Sequence, residues 1–165
     1  MKYSERNTLH FAWIDSPVGL LRAGATDRAL RVLEFINTPP AAHTRHNADT
    51  AILDQVRREL DEYFAGSRRQ FDISLSYPGT PFQERVWTVL RGIAYGEQLS
   101  YLEQSRRVGD VKAIRAVAQA NGQNPIAIII PCHRVINADG RLGGFGGGLL
   151  RKQFLLDLER GDRLL

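Results

Sequence analysis

Cysteine occurs once in these 165 residues, at Cys132. A lone thiol rules out an internal disulfide and suits a reducing compartment. One Cys and four His (His10, His43, His46 and His133) do not make the spacing of a zinc site. No apolar run approaches the roughly 20 residues that a membrane span needs. The start, MKYSERNTLHFAW, lacks a basic stretch followed by a long apolar one, so no secretory signal is read there. The expectation is a cytoplasmic protein with no membrane partner. Internal repeats are missing, and the only biased tract is glycine-rich, GRLGGFGGG over 140–148.

Excess charge is missing from the first half. Residues 1–80 carry 10 Lys+Arg against 10 Asp+Glu, whereas residues 81–165 carry 12 against 8. The whole net charge of +4 therefore lies in the second half. A basic half beside a neutral one fits a polyanion-binding face, and equally a plain surface bias.

Hydrophobic periodicity divides the chain. Residues 9–14, 19–26 and 29–36 read as three short strands, with turns at Ser16-Pro17 and Thr26-Asp27. A polar, proline-containing loop over 37–49 follows. Residues 50–65 read as a helix, with Ile52, Leu53, Val56, Leu60 and Phe64 on one face and Gly66 as its stop. FDISLSY (71–77) alternates like another strand. Thr80-Pro81-Phe82-Gln83 is a helix start with N-cap, proline and capping-box glutamine. Its inward stripe is Phe82, Val86, Val89, Leu90 and Ile93. Tyr101 to Val108, a Gly109-Asp110 break and Val111 to Asn121 give a helix-turn-helix outline. In its second helix Ile114 and Val117 are expected to face inward, and Ala113, Ala116 and Ala120 to offer a small-residue face around Arg115. IAIII (126–130) reads as a buried strand that delivers the chain to Pro131-Cys132-His133-Arg134. A helix closes the chain. We expect an N-terminal scaffold lobe over 1–79 and a second lobe, carrying any chemistry, over 80–165.

Cys132 is the candidate nucleophile. A lone cysteine is most often a small buried hydrophobe. Here a proline precedes it, and His133 and Arg134 follow, where positive charge favours the thiolate. Neighbouring side chains on a regular strand point to opposite faces. His133 therefore serves Cys132 only if the strand ends there or a water bridges them. A third group must then orient the histidine, and Glu159 or Asp157 on the last helix is placed to do so.

IPCHRVI resembles the active-site signature of the O6-alkylguanine-DNA alkyltransferases, the methylated-DNA–protein-cysteine methyltransferases. Further blocks resemble that family in the same order: SPVGLL (16–21), TPFQERVW (80–87), Gly96 with Ser100-Tyr101, Arg115-Ala116-Val117, NGQNP (121–125), the glycines of 143–148, Arg151-Lys152 and Leu155-Leu156 with Glu159. The resemblance implies an α/β (α+β) protein with a small ribonuclease-H-like N-terminal lobe and a mainly helical C-terminal lobe with a helix-turn-helix. It implies repair of O6-alkylguanine in double-stranded DNA, by one irreversible transfer of the alkyl group to Cys132 after base flipping, with no cofactor or metal and by a monomer.

The resemblance also implies roles. His133 activates Cys132 through a water and Glu159 orients His133. Asn124 holds the turn between recognition helix and active site. Arg115 fills the space of the flipped nucleotide, and Tyr101 assists flipping and bonds the guanine. Ser100 and Ala116 join Arg115 and Tyr101 on DNA, and Val135, Phe145 and Gly146 join Tyr101 around the base. Several positions depart from the family pattern. Phe145 replaces a usual Tyr, Gln104 and Ser105 replace apolar residues and predict a loosely packed first helix, Val111 replaces a frequent Pro, and Ala118 a frequent Gly. Two rival readings remain: a damage sensor that binds without repairing, which an intact PCHR disfavours, and a cysteine hydrolase, for which no oxyanion-hole signal is seen.

Overall fold

A computed structural model describes residues 8–162, which divide into two compact units, one running to Tyr77 and the other from Pro78. In the first unit, β1 (His10–Ile14), β2 (Leu21–Ala25) and β3 (Leu30–Phe35) form an antiparallel meander in the order 1-2-3. The β1–β2 turn is tied by Ser16 and Gly19: the Gly19 N–H donates to the Ser16 carbonyl at 3.0 Å, and the Ser16 hydroxyl returns to the Gly19 carbonyl at 2.6 Å. Alternation sends Ala12 and Ile14, Leu21 and Ala23, and Leu33 into the core, and a register shift between Gly24 and Ala25 brings Leu30 in as well, opposite Ala25. Arg22 lies outside that core, its guanidinium 4.9 Å from the Phe11 ring centre and 2.6 Å from Glu34. Gly24 permits this face, since a Cβ there would lie 2.8 Å from the Phe11 ring.

Helix α1 (Ala51–Phe64) packs on this sheet. Thr50 caps it, accepting the Leu53 N–H at 3.3 Å. The helix buries Leu53, Val56, Leu60, Tyr63 and Phe64 as its periodicity predicts, while Ile52 stays half-buried. FDISLSY does not form the predicted strand. Leu75 makes one bridge to Leu30, held by Leu30 N–H to Ser74 O and Ser76 N–H to Leu30 O. Pairing stops there because the Asp72 N–H is taken at 2.7 Å by the Glu59 carboxylate, and Pro78 has no N–H to give. Glu59 is buried among Gln55 (2.6 Å), the Asp72 N–H and Arg68 (3.4 Å), and Arg68 also reaches Glu62 at 2.7 Å.

The second unit begins with α2 (Pro81–Arg91), whose predicted capping box is present: Thr80 accepts the Gln83 N–H at 3.1 Å and Gln83 accepts the Thr80 N–H at 2.9 Å. Val86, Trp87 and Leu90 are its buried face, with Ile93 buried just beyond. Then come β4 (Leu99–Ser100), α3 (Tyr101–Val108), a 3-10 turn over Val111–Ala113, α4 (Ile114–Gly122), β5 (Val135–Ile136) and α5 (Leu149–Arg160). Gly109, at φ +112°, ends α3 in the left-handed region that only glycine enters cheaply. Asp110 restarts the chain by accepting the Lys112 N–H at 2.8 Å. β4 and β5 pair in parallel, Leu99 beside Val135.

Three expectations for this unit need correction. IAIII is not a strand. Ile126, Ile128 and Ile130 are buried and Ala127 and Ile129 half-buried, and the backbone turns, with the Ile130 N–H returning to the Ile126 carbonyl at 3.0 Å. The Asn124 amide does what a neighbouring strand would: Oδ1 takes the Ile126 N–H at 3.0 Å and Nδ2 donates to the Ile130 carbonyl at 2.7 Å. Ile128 sits at φ +70°, a strained setting for a β-branched residue. Ile114 faces outward, because the first turn of the second helix is wound as 3-10 and shifts its phase, whereas Ala120 is inward, its carbonyl accepting the Trp87 indole N–H at 2.9 Å. Gln104 and Ser105 do not loosen α3. Both are buried, Gln104 in an amide pair with Asn121 and Ser105 donating to the Tyr101 carbonyl.

Glu59 offers a direct test of the first unit. Glu59→Ala removes the buried acceptor of the Asp72 N–H and of the Gln55 amide, whereas Arg68 keeps Glu62, so a loss of about 1–3 kcal/mol is expected. A lowered urea midpoint checks this, and an unchanged midpoint would show that the cluster adds nothing.

Candidate active site

Cys132 lies in a one-turn 3-10 segment, Cys132–Arg134, rather than at a strand end. The turn forms because Pro131 and the folded 126–130 segment bring the chain in already curved: the Cys132 N–H donates to Ile130 O at 2.8 Å and the Arg134 N–H to Pro131 O at 3.0 Å. Departure from strand geometry also frees His133 from pointing away from its neighbour by alternation. Asn124, which organises the approach, donates from Nδ2 to the Cys132 sulfur at 3.3 Å. One side chain therefore holds both the turn and the thiol.

His133 is fully buried, and its Nε2 lies 2.5 Å from Oε2 of Glu159. The other carboxylate oxygen, Oε1, accepts Nε of Arg134 at 2.6 Å and the Gly96 N–H at 3.4 Å. Arg134 continues to the Ile93 carbonyl at 2.6 Å. Asp157, the alternative partner on the last helix, is instead bonded to Gln153 and Arg160. Burial raises the Glu159 pKa, but the bonds and charges of His133 and Arg134 outweigh it and bring it down to about 2. Burial pushes the His133 pKa down against the pull of Glu159. An ionised Glu159 beside a neutral histidine fixes the tautomer. Nε2 carries the proton and donates it to the carboxylate, so Nδ1 keeps a free lone pair. Nδ1 has no hydrogen-bond partner among the described residues.

A cleft of about 480 Å³ opens beside the thiol. Tyr101, Arg115, Ala118, Asn121, Cys132 and the glycine-rich residues 143–146 line it. Tyr101, Arg115, Phe145 and Gly146 are thus brought together as expected. Val135 is buried and is not among the lining residues. Ala116 is exposed on the same helix as Arg115, and Ser100 caps α3, accepting the Glu103 N–H at 3.0 Å. Phe145, half-buried, keeps a ring at the cleft without a hydroxyl.

The glycine-rich wall is held from two sides. The Tyr101 hydroxyl donates to the Gly144 carbonyl at 3.2 Å. Lys152, wholly buried on α5, donates to the carbonyls of Leu142 and of Gly144, the latter at 3.1 Å. Gly143, at φ +69°, lets the wall close on Tyr101, since a Cβ there would lie 2.9 Å from the ring. Arg134, expected to favour the thiolate by its charge, is instead committed to Glu159 and the Ile93 carbonyl, and Lys152 lies in a motif of the sequence that assigns it no role. The signal was available. Lys152 and Glu159 are seven residues, two helical turns, apart on the stripe that carries Leu155 and Leu156. Charges on an apolar stripe point inward at something polar.

A family model described as "6-O-methylguanine DNA methyltransferase, DNA binding domain" matches residues 81–161, and its companion "6-O-methylguanine DNA methyltransferase, ribonuclease-like domain" matches 9–77. The chain belongs to the 6-O-methylguanine DNA methyltransferase family. A methylated-DNA–protein-cysteine methyltransferase of Mycobacterium tuberculosis is 46% identical, over 92% of this chain and 93% of that protein. A constitutive one of Bacillus subtilis is 38% identical, over 92% and 95%. The crystal structure of Mycobacterium tuberculosis OGT in complex with DNA superposes with a TM-score of 0.83 at 44% identity, covering 92% of this chain and 93% of that one. The ribonuclease-like description fits the sheet-and-helix first unit. The mainly helical second unit matches the domain described as DNA-binding.

Burial and neighbouring charge set opposing demands on the thiol. Burial raises the Cys132 pKa, while Asn124 and Lys152 lower it. Burial also lowers the Lys152 pKa to about 8. A lysine with a lowered pKa is charged below about pH 8 and neutral above it, so its help to the thiolate is present at pH 7 and fades as pH rises through 8. Lys152→Met is therefore expected to slow alkylation of Cys132 by iodoacetamide about tenfold at pH 7, the worth of about one pKa unit. The gap should close by pH 9.5. A gap constant across that range would limit Lys152 to holding the loop.

Proposed function

We propose that Cys132 is the atom that takes the alkyl group from O6 of guanine in DNA, and that the second lobe, residues 80–165, performs both DNA binding and transfer while residues 1–79 act as scaffold. The reaction is the family's: direct repair, one alkyl group per chain. The observation that carries the assignment of Cys132 is the buried Glu159–His133 pair, whose Nδ1 has no hydrogen-bond partner among the described residues, on the residue that follows the sole thiol of the chain, a thiol that lines the cleft.

The chemistry follows from those groups. O6 of guanine is unreachable inside the duplex, so the base must leave the stack. Arg115, exposed at the rim of the cleft, fills the space it leaves. His133 Nδ1 accepts the Cys132 proton through a water, and Glu159 steadies the imidazolium that results. The thiolate attacks the alkyl carbon. An S–C bond forms, the C–O6 bond breaks, and its electron pair stays on the guanine, which takes up a proton. Tyr101 lines the cleft with its hydroxyl as a hydrogen-bond donor, placed to help supply that proton. A thioether is a very poor leaving group, so nothing restores the thiol and the chain is spent. Lone-thiol chemistry of this kind suits the cytoplasm, and among the described residues no helix is long and apolar enough to cross a membrane.

Intact-protein mass after mixing with a duplex holding one O6-methylguanine tests the assignment. The parent is expected to gain one methyl group and no more, and Cys132→Ala none. No gain in the parent, with DNA still bound, would make the protein a damage sensor. Arg115→Ala is expected to slow repair of the duplex at least tenfold while leaving iodoacetamide alkylation of Cys132 within twofold. Parallel losses would remove Arg115 from base extrusion.

A further inference from the structure

Helix α4 has little with which to fix its own rotation. Of its nine residues, only Val117, Ala120 and Asn121 are buried, and the two small ones among its apolar contacts offer shallow packing. Its outer face nevertheless has to aim Arg115 and present Ala116 and Ala118. Directional contacts do the fixing. The Trp87 indole bonds the Ala120 carbonyl, and Gln83 Nε2 donates to Gln123 Oε1 at 2.8 Å. Between them lies a buried reciprocal pair: Gln104 Nε2 donates to Asn121 Oδ1 at 2.7 Å, and Asn121 Nδ2 donates to Gln104 Oε1 at 2.8 Å. Gln104 is fully buried at the middle of α3, and Asn121 reaches the cleft lining.

We propose that Gln104 is a positioning residue for DNA reading: its amide pair with Asn121 sets the rotation of α4 on α3, and through it the direction in which Arg115 leaves the helix. Two apolar residues could slide or roll against each other at little cost. A two-way amide pair cannot, because any rotation that breaks one bond leaves a buried donor and a buried acceptor unpaired. The pair spans both helices of the helix-turn-helix, so it fixes the element that meets DNA without touching the sulfur. The device is built on residues of this chain, and it rests on the DNA-repair reading above.

Gln104→Met keeps length and volume but removes the pair. Methyl transfer from an O6-methylguanine duplex is expected to fall at least tenfold, and affinity for undamaged duplex to weaken by a similar factor. Iodoacetamide alkylation of Cys132 should stay within twofold of the parent, which a general loosening of the second unit would not allow. The exchange Gln104→Asn with Asn121→Gln preserves both hydrogen bonds and should return duplex transfer to within threefold of the parent. Unchanged duplex transfer in Gln104→Met overturns the proposal, as do parallel losses of transfer and alkylation. If Gln104→Met does not fold, the exchange variant decides: threefold or better supports the pair, and a tenfold loss overturns it. A parent that transfers no methyl group would sink the repair reading alone. Duplex affinity would then decide, weakened in Gln104→Met if the pair positions α4 and unaltered if it does not.

Discussion

The Glu159 carboxylate joins three parts of the second unit at one buried point. Oε2 receives His133, Oε1 receives Arg134 and Gly96, and Arg134 extends the chain of bonds to the Ile93 carbonyl just past α2. An unpaired buried carboxylate would be protonated or exposed; here two cationic or cation-forming partners keep it ionised to about pH 2. Its folded pKa lies below the usual carboxylate range, so its contribution to stability is present above about pH 4.5 and is lost only as pH falls toward 2. The same bonds that stabilise the fold fix the tautomer of His133. Structure and reactivity are thus set by one group, and weakening it would disturb both.

Around that point, backbone irregularity substitutes for regular structure. A strand at 126–130 would have carried Cys132 past the cleft with His133 on the opposite side. Asn124 instead folds the segment back and ends bonded to the sulfur. The strain of Ile128 at φ +70° is offset by burial of Ile126, Ile128 and Ile130. Opposite the thiol, the glycine-rich wall has no secondary structure of its own, and Lys152 and Tyr101 define its position through its carbonyls. Flexible chain can form a shaped wall when side chains from helices on either side supply the hydrogen bonds.

Much of this was legible in the residues. Strong local signals translated directly: Thr80-Pro81-Gln83 became a capping box, Gly109 a helix stop, and the three N-terminal runs a meander. Periodicity failed where side chains compete with backbone pairing. FDISLSY alternates like a strand and IAIII is a continuous apolar run like a buried one, yet Glu59 takes a backbone N–H of the first and Asn124 bonds both ends of the second. Such competition is long-range or conformation-specific, so no local pattern reports it. Gln104 illustrates the converse. As an isolated polar residue on an expected apolar face it predicts loose packing, and only the position of Asn121, 17 residues on, turns it into a satisfied pair.

The buried polar groups of the second unit are not spread evenly through its core. Asn121 lines the cleft with Gln104 behind it, Lys152 holds the cleft's glycine-rich wall, and Arg134 and Glu159 form one bonded cluster with His133, the residue after the thiol. In the first unit the polar burial centres on Glu59, which ties down a single loop. An apolar core of the same volume would be at least as stable. A cluster of buried charges and amides beside one reactive sulfur is therefore better explained by what it orients than by what it stabilises. It holds a thiol at a raised resting pKa, a neutral histidine to take its proton and an ionised carboxylate behind that histidine. Each needs the others in place, and the hydrogen bonds that place them are the ones an apolar core could not supply.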